Sequence, residues 1–266
     1  LDFSDLLSDV RKTPLGKFVE KAGKKASKRS GDTAAAKLTE VVDRTRRFRA
    51  DPPLLVPVSE DRERVGHELA EIYGQYLATL PADRVSLLLR YSFLDIAQKV
   101  VGVGSVGTRA MVVLMESGDS EPLILQVKQA TQSVLEPYLG PSQFAESGQR
   151  VVLGQRIMQT AGDPFLGWCH SFGEHPFAFY VRQLQDMKGS ISTADLDPDE
   201  LQVYGEVCGA VLARAHARGG DAALIAGYLG DDHTFDTAVT EFAAGYAELN
   251  RADHEALTAS MGDSPA

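Results

Sequence analysis

Cysteine is almost missing from this 266-residue chain; Cys169 and Cys208 are the two it has. Neither sits in CxxC or zinc-ligand spacing, which excludes a multi-disulfide scaffold and a zinc ribbon. Both fall in apolar stretches and read as small core residues, and so little cysteine suits a reducing, cytoplasmic setting. The six histidines show neither HxH nor HExxH spacing, so no metal site is expected. No apolar run approaches ~18 residues, which argues against a transmembrane helix and a membrane partner. Leu1–Val10 lacks the basic start and apolar run of a signal peptide. Ser105 lies in Gly104-Ser-Val-Gly107, but a nucleophile elbow requires glycine where Val103 stands.

What is present is a globular composition, 44% hydrophobic and 24% charged, with a net charge of −10. The charge is unevenly spread. Between Arg11 and Ala50 there are 13 Lys/Arg and 4 Asp/Glu, a local +9. Such a segment either rests as a basic helix on the acidic body or docks an acidic partner chain. No aromatic ladder interleaves its cations, so nucleic acid is not expected as a partner.

Leu1–Arg49 reads as polar helix, ended by Asp51-Pro-Pro53. Leu54–Val58 is a short extended piece. A helix runs from about Ser59 to Leu80, on apolar positions spaced by three and four, and another from Asp83 to Arg90. Five strands then follow: Asp95–Val101, Arg109–Met115, Leu123–Val127, Phe165–Phe172 and Phe177–Leu184. A helix over about Ser142–Thr160 is inserted before the last two. Pro198–Arg218, capped by Asp197, is a long helix, and Ala222–Gly230 and Thr234–Met261 form a final helical pair. The expected fold class is α+β: a mostly antiparallel five-stranded sheet with an inserted helix, flanked by helical regions. The expected division is 1–90 helical with a basic start, 91–190 a glycine-loop sheet lobe, and 191–266 a helical lobe.

Gly102-Val-Gly104-Ser-Val-Gly107 matches GxGxxG, a pattern that two phosphate sites share. In a dinucleotide fold the loop opens a helix. Here the residues after it, Met-Val-Val-Leu among them, read as strand, so that use fails its own context. In a kinase-type lobe the loop joins two antiparallel strands, and a lysine on the third strand reaches the nucleotide phosphates. Lys128, ending an apolar strand, stands where that lysine belongs. Glycine lets backbone N–H groups approach the phosphate oxygens, and a long-stemmed ammonium reaches them across the sheet. Candidate nucleotide-binding residues are therefore Gly102, Gly104, Ser105, Gly107 and Lys128. Kinases pair this lysine with a glutamate on the next helix; Glu146 is the better candidate, and Glu136, before Pro137, the other. Arg182, Asp186 and Lys188 are second-tier candidates around a hinge-like turn at Gln185–Ser190. ATP is the expected ligand. A catalytic Asp and metal-binding Asp should follow the long helix. Asp231-Asp232-His233 lacks their spacing and reads as helix capping, so no catalytic residue is assigned.

Several blocks run in one order: Val-Val-Gly102-Val-Gly-Ser-Val-Gly-Thr-Arg109, Leu-Gln-Val-Lys128, Gly148-Gln-Arg-Val-Val, Phe165-Leu-Gly-Trp168, Tyr180-Val-Arg-Gln-Leu and Leu-Ala-Arg-Ala-His216-Ala-Arg. With Lys37-Leu-Thr and Asp51-Pro-Pro-Leu they make nearly the whole chain resemble the bacterial family called domain of unknown function 2252. More distantly the order resembles aminoglycoside-phosphotransferase and protein-kinase-like folds, circularly permuted. The resemblance implies a segment preceding Leu1 with a Gly-Asp-x-His-x-x-Asn-type motif and an Asn-Asp-Phe-Asp-type motif, which resemble catalytic and metal-binding loops. It implies that magnesium would bind only where those motifs are supplied, and that the missing N-terminal part is itself a partner. Two functions stay open at this point: the nucleotide-binding part of a kinase-like phosphotransferase, or a non-catalytic pseudoenzyme or protein-interaction module.

Overall fold

The computed structural model describes residues 16, 31–58, 62–100, 107–159, 162–174, 176–184 and 192–262. The chain falls into two compact units, Leu1–Ala215 and His216–Ala266.

The first unit is built on a six-stranded antiparallel sheet. Its strands are β3 (Leu55–Pro57), β4 (Tyr91–Lys99), β5 (Ala110–Ser117), β6 (Pro122–Ala130), β7 (Gly167–His170) and β8 (Ala178–Gln183), in the order β3-β4-β5-β6-β8-β7. Five strands were expected; the sixth is the extended piece after the prolines, which pairs Leu55 with Lys99 and Pro57 with Ala97 on the edge of β4. Three residues are too few to show an alternation in the sequence.

Leu1–Arg49 was expected to be helical. Only α1 (Gly31–Leu38) is helical among its described residues beyond Gly16, and β1 (Thr39–Val42) and β2 (Thr45–Phe48) form a hairpin. Asp43 and Arg44 both take positive φ, 50° and 64°. That is the two-residue turn whose twist matches paired strands, here without the glycine that usually announces it. The described part of the basic segment is tied down: Arg46 pairs with Glu116 of β5 at 3.2 Å and Arg47 with Glu40 at 3.3 Å.

Strand alternation sorts the sheet into two faces. On one, Met115, Leu123, Leu125, Phe179, Val181 and Cys169 pack with Tyr76 and Leu88. Tyr76 belongs to α2 (Arg62–Ala78) and Leu88 to α3 (Ala82–Leu88). The Tyr76 hydroxyl donates to the Phe165 carbonyl at 2.6 Å, fastening α2 to the approach to β7. On the other face, Ala97, Val112, Leu114 and Ile124 pack with Leu184, with Ala35 of α1 and with Phe48 of the hairpin. Asp95 fixes this cover. Its carboxylate accepts the Phe48 N–H at 2.8 Å and its neighbour Ile96 N–H at 3.0 Å.

Between β6 and β7 lie a short helix, α4 (Glu136–Leu139), and α5 (Ser147–Met158). The inserted helix therefore starts later than Ser142. Gly148 lets α5 close on the sheet, since a Cβ there would sit 2.5 Å from the Phe179 carbonyl oxygen and 3.1 Å from Trp168 Cβ.

α6 (Pro198–Gly219) carries the chain into the second unit. Asp197 accepts the Glu200 N–H at 2.8 Å, the capping expected of it. The second unit holds α7 (Ala222–Leu229) and α8 (Thr234–Gly262). Asp221 caps α7 through Ala223 and Leu224, and Asp232 accepts the Thr234 N–H at 2.9 Å at the start of α8. His216, in the last turn of α6, has an exposed side chain.

Candidate functional site

Lys128 lies near the end of β6, where it pairs with Ala110 of β5 and Tyr180 of β8. It is half-buried. It shares a face with Gln126, Tyr180 and Arg182, because residues two apart on a strand and their directly opposed partners point the same way. Gln126 is directly opposite Arg182. Its side-chain oxygen accepts from Arg182 Nε at 3.2 Å and from a terminal nitrogen at 3.1 Å. That explains how a glutamine only 4% exposed is tolerated in the core, and it holds the guanidinium in one place.

Burial, and then the nearby Arg182 guanidinium, hold the Lys128 ammonium below the usual lysine range. Burial likewise pushes the Tyr180 hydroxyl up, and Arg182 opposes that shift. Two cations thus converge on one sheet face. An anion placed between them relieves both the like-charge repulsion and part of the desolvation cost.

The glycine motif lies in the connection between antiparallel strands β4 and β5, so no helix follows it. Gly102, Gly104 and Ser105 are outside the described residues. Gly107 is described: its φ of +80° is a left-handed turn that only glycine adopts without strain. From there the chain is pinned beside Lys128. The Arg109 N–H donates to the Gln129 side-chain oxygen at 3.1 Å, and the Gln129 N–H to the Arg109 carbonyl at 2.8 Å. The Arg109 guanidinium lies 4.3 Å from the centre of the Phe177 ring.

Glu146 occupies the N-cap position of α5, its carbonyl accepting from Arg150 N–H. Burial and then the Glu146 charge push the Cys169 thiol up to about 12. Among the described residues no ion pair joins Glu146 to Lys128. Glu136 opens α4 and accepts from Gln132 at 2.8 Å, the contact that does most to hold its carboxyl low. Arg182, expected beside the hinge-like turn, lies inside β8. Asp186 and Lys188 fall outside the described residues. The Gln126–Arg182 clamp was not foreseen. Its signal is the matching alternation of Gln126-Val-Lys128 and Tyr180-Val-Arg182, polar on one face and valine on the other.

A family model described as an uncharacterized protein conserved in bacteria, DUF2252, matches residues 1–260. The chain belongs to the DUF2252 family. No curated protein and no solved structure matches it. In this DUF2252 chain, no helix among the described residues is long and apolar enough to cross a membrane.

Proposed function

We propose that this DUF2252 chain binds ATP on the Lys128 face, as the nucleotide-binding part of a kinase-like phosphotransferase. The observation that carries the reading is the convergence of half-buried Lys128 and clamped Arg182 on one face of the central strands. Lysine supplies a point charge for phosphate oxygens, and a fixed guanidinium adds a forked donor.

The chain order supports the same reading. A glycine motif links β4 to β5, the lysine strand β6 follows, then an inserted helix and two further strands. That is the order of elements around a kinase-type phosphate site. In this account Gly102, Gly104, Ser105 and Gly107 cover the phosphates, Lys128 and Arg182 hold them, and Gln126 positions Arg182. The role belongs to binding and orientation. None of the residues named here is assigned as a general base or a magnesium ligand, so no transfer step is assigned to them.

The test is a thermal-shift series with ATP, ADP and adenosine on the wild-type chain, Lys128→Ala and Arg182→Gln. ATP and ADP are expected to raise the wild-type midpoint and adenosine to do so far less. Both variants are expected to lose most of the shift while keeping their own midpoints near wild type. Equal shifts in all three proteins, or none in the wild type, contradict the reading.

A further inference from the structure

The sheet face away from Lys128 does not close fully against α2. A cavity of about 340 Å³ remains between them. Interiors pack to crystal density, and voids larger than a water are few, so a space of this size asks for an occupant.

Its walls say what kind. Nearly every lining atom is apolar, from side chains such as Ile96, Met111, Val113, Val127 and Phe179. The two tyrosines lining it from α2 have their hydroxyls engaged with backbone: Tyr76 with the Phe165 carbonyl, and Tyr73 with the Leu88 carbonyl at 3.4 Å. Cys169, in the wall, is kept as the neutral thiol by its burial. Tyr91 of β4 adds one further hydroxyl to an otherwise apolar wall, so a charged ligand would be desolvated there with little compensation.

Shape narrows the class further. The lining residues come from five adjacent strands, β4 to β7 in sheet order. Four strand spacings give a length of roughly 19 Å. At roughly 30 Å³ per carbon, the share a water has in the liquid, the space holds about a dozen carbons. The two ends differ. Cys169, Phe179 and Val181 at the β7–β8 end are buried, whereas Phe93 of β4 and Ala70 of α2 are exposed.

We infer that the cavity between α2 and the sheet binds a single saturated alkyl or acyl chain of about twelve carbons, with its polar head left in solvent at the Ala70–Phe93 mouth. The inference uses the opposite face of the sheet from Lys128 and does not rest on the nucleotide reading.

The experiment is calorimetric titration of the full chain, below micelle concentrations, with octanoate, decanoate, dodecanoate, hexadecanoate and dodecanol. Expected is one site, with affinity rising about threefold or more per added two carbons up to dodecanoate and levelling off beyond it. Dodecanol should bind within about threefold of dodecanoate, because the head stays in water. Ala70→Trp plugs the mouth at an exposed position and Val113→Phe fills the interior; each should weaken dodecanoate at least tenfold. Absence of binding at every length overturns the inference, as does affinity that keeps rising through hexadecanoate. So does binding that both variants leave unchanged. If Val113→Phe fails to fold, Ala70→Trp and the chain-length series decide alone.

Discussion

Asp95 is the residue on which the cover of the Lys128 face depends, and Asp95→Asn measures how much. The carboxylate is 7% exposed and accepts two backbone N–H groups, from Phe48 at 2.8 Å and Ile96 at 3.0 Å. Hydrogen bonds to a charged acceptor contribute about 1.5–3 kcal/mol each. Asparagine keeps the shape but has one acceptor oxygen, so one N–H faces an amide NH2 and is left unsatisfied. A buried orphan donor costs about 1–3 kcal/mol, and removing the buried charge returns part of that, so the expected loss is about 2 kcal/mol. Asp95→Ala orphans both donors and should cost about 4 kcal/mol. Trp168 is the single tryptophan and lies on β7, so its fluorescence in a urea titration follows the first unit. The midpoint should fall with the slope unchanged. Amide exchange at Phe48 supplies the local readout, since that N–H should lose protection in the variant before the central strands do. A loss below about 0.5 kcal/mol in Asp95→Asn, or an unchanged Phe48 amide, refutes the claim that this carboxylate ties the hairpin to the sheet.

Three further outcomes are expected. Gly148→Ala should destabilise by about 1–3 kcal/mol despite a helix-propensity gain of about 1 kcal/mol, because the new Cβ meets a backbone carbonyl that cannot step aside; a neutral or stabilising result in urea unfolding would show that α5 can lift off. Gly107→Ala should cost about 1–2 kcal/mol and Gly107→Asn clearly less, since the penalty comes from the +80° φ and none of the described residues crowds the added atom; equal costs in the two variants would point to another cause. The Cys169 thiol is raised by burial to about 12, so the folded state keeps a proton that the unfolded state releases near pH 9. Stability therefore falls as pH rises from about 9 towards 12, and Cys169→Ala should flatten that slope in unfolding midpoints taken at successive pH values.

Much of this was legible because it is written in periodicity. The strands with alternating or wholly apolar character, β5, β6 and β8, lie where the pattern predicts them, and the capped helices α6, α7 and α8 run nearly as read. Asp197 and Asp232 announce their helices by cap chemistry that depends only on local spacing. What failed was structure held by tertiary contact. The β1–β2 turn uses Asp43-Arg44, without the glycine that marks such turns, and its second strand is fixed where the Phe48 N–H meets Asp95, far along the chain. β3 is three residues long and exists only as an addition to β4. Of the site, Lys128 was readable as a cation ending an apolar strand, although β6 runs on to Ala130. Its neighbour Arg182 and the Gln126 clamp depend on the β6–β8 register, which no single segment encodes.

The central claim is that Lys128 and Arg182 make one anion-binding face for nucleotide phosphate. Isothermal titration of ATP into the wild-type chain and Lys128→Ala, run at pH 9 in two buffers of different ionisation heat, tests it most directly. Burial and Arg182 hold the Lys128 ammonium low. Phosphate beside it should raise that value, so any proton exchanged at Lys128 on binding is taken up rather than released. The account predicts ATP binding with proton uptake in the wild type, and in Lys128→Ala an affinity at least tenfold weaker with the uptake gone. Binding that is absent, or that keeps the same affinity and the same proton uptake in Lys128→Ala, would contradict it.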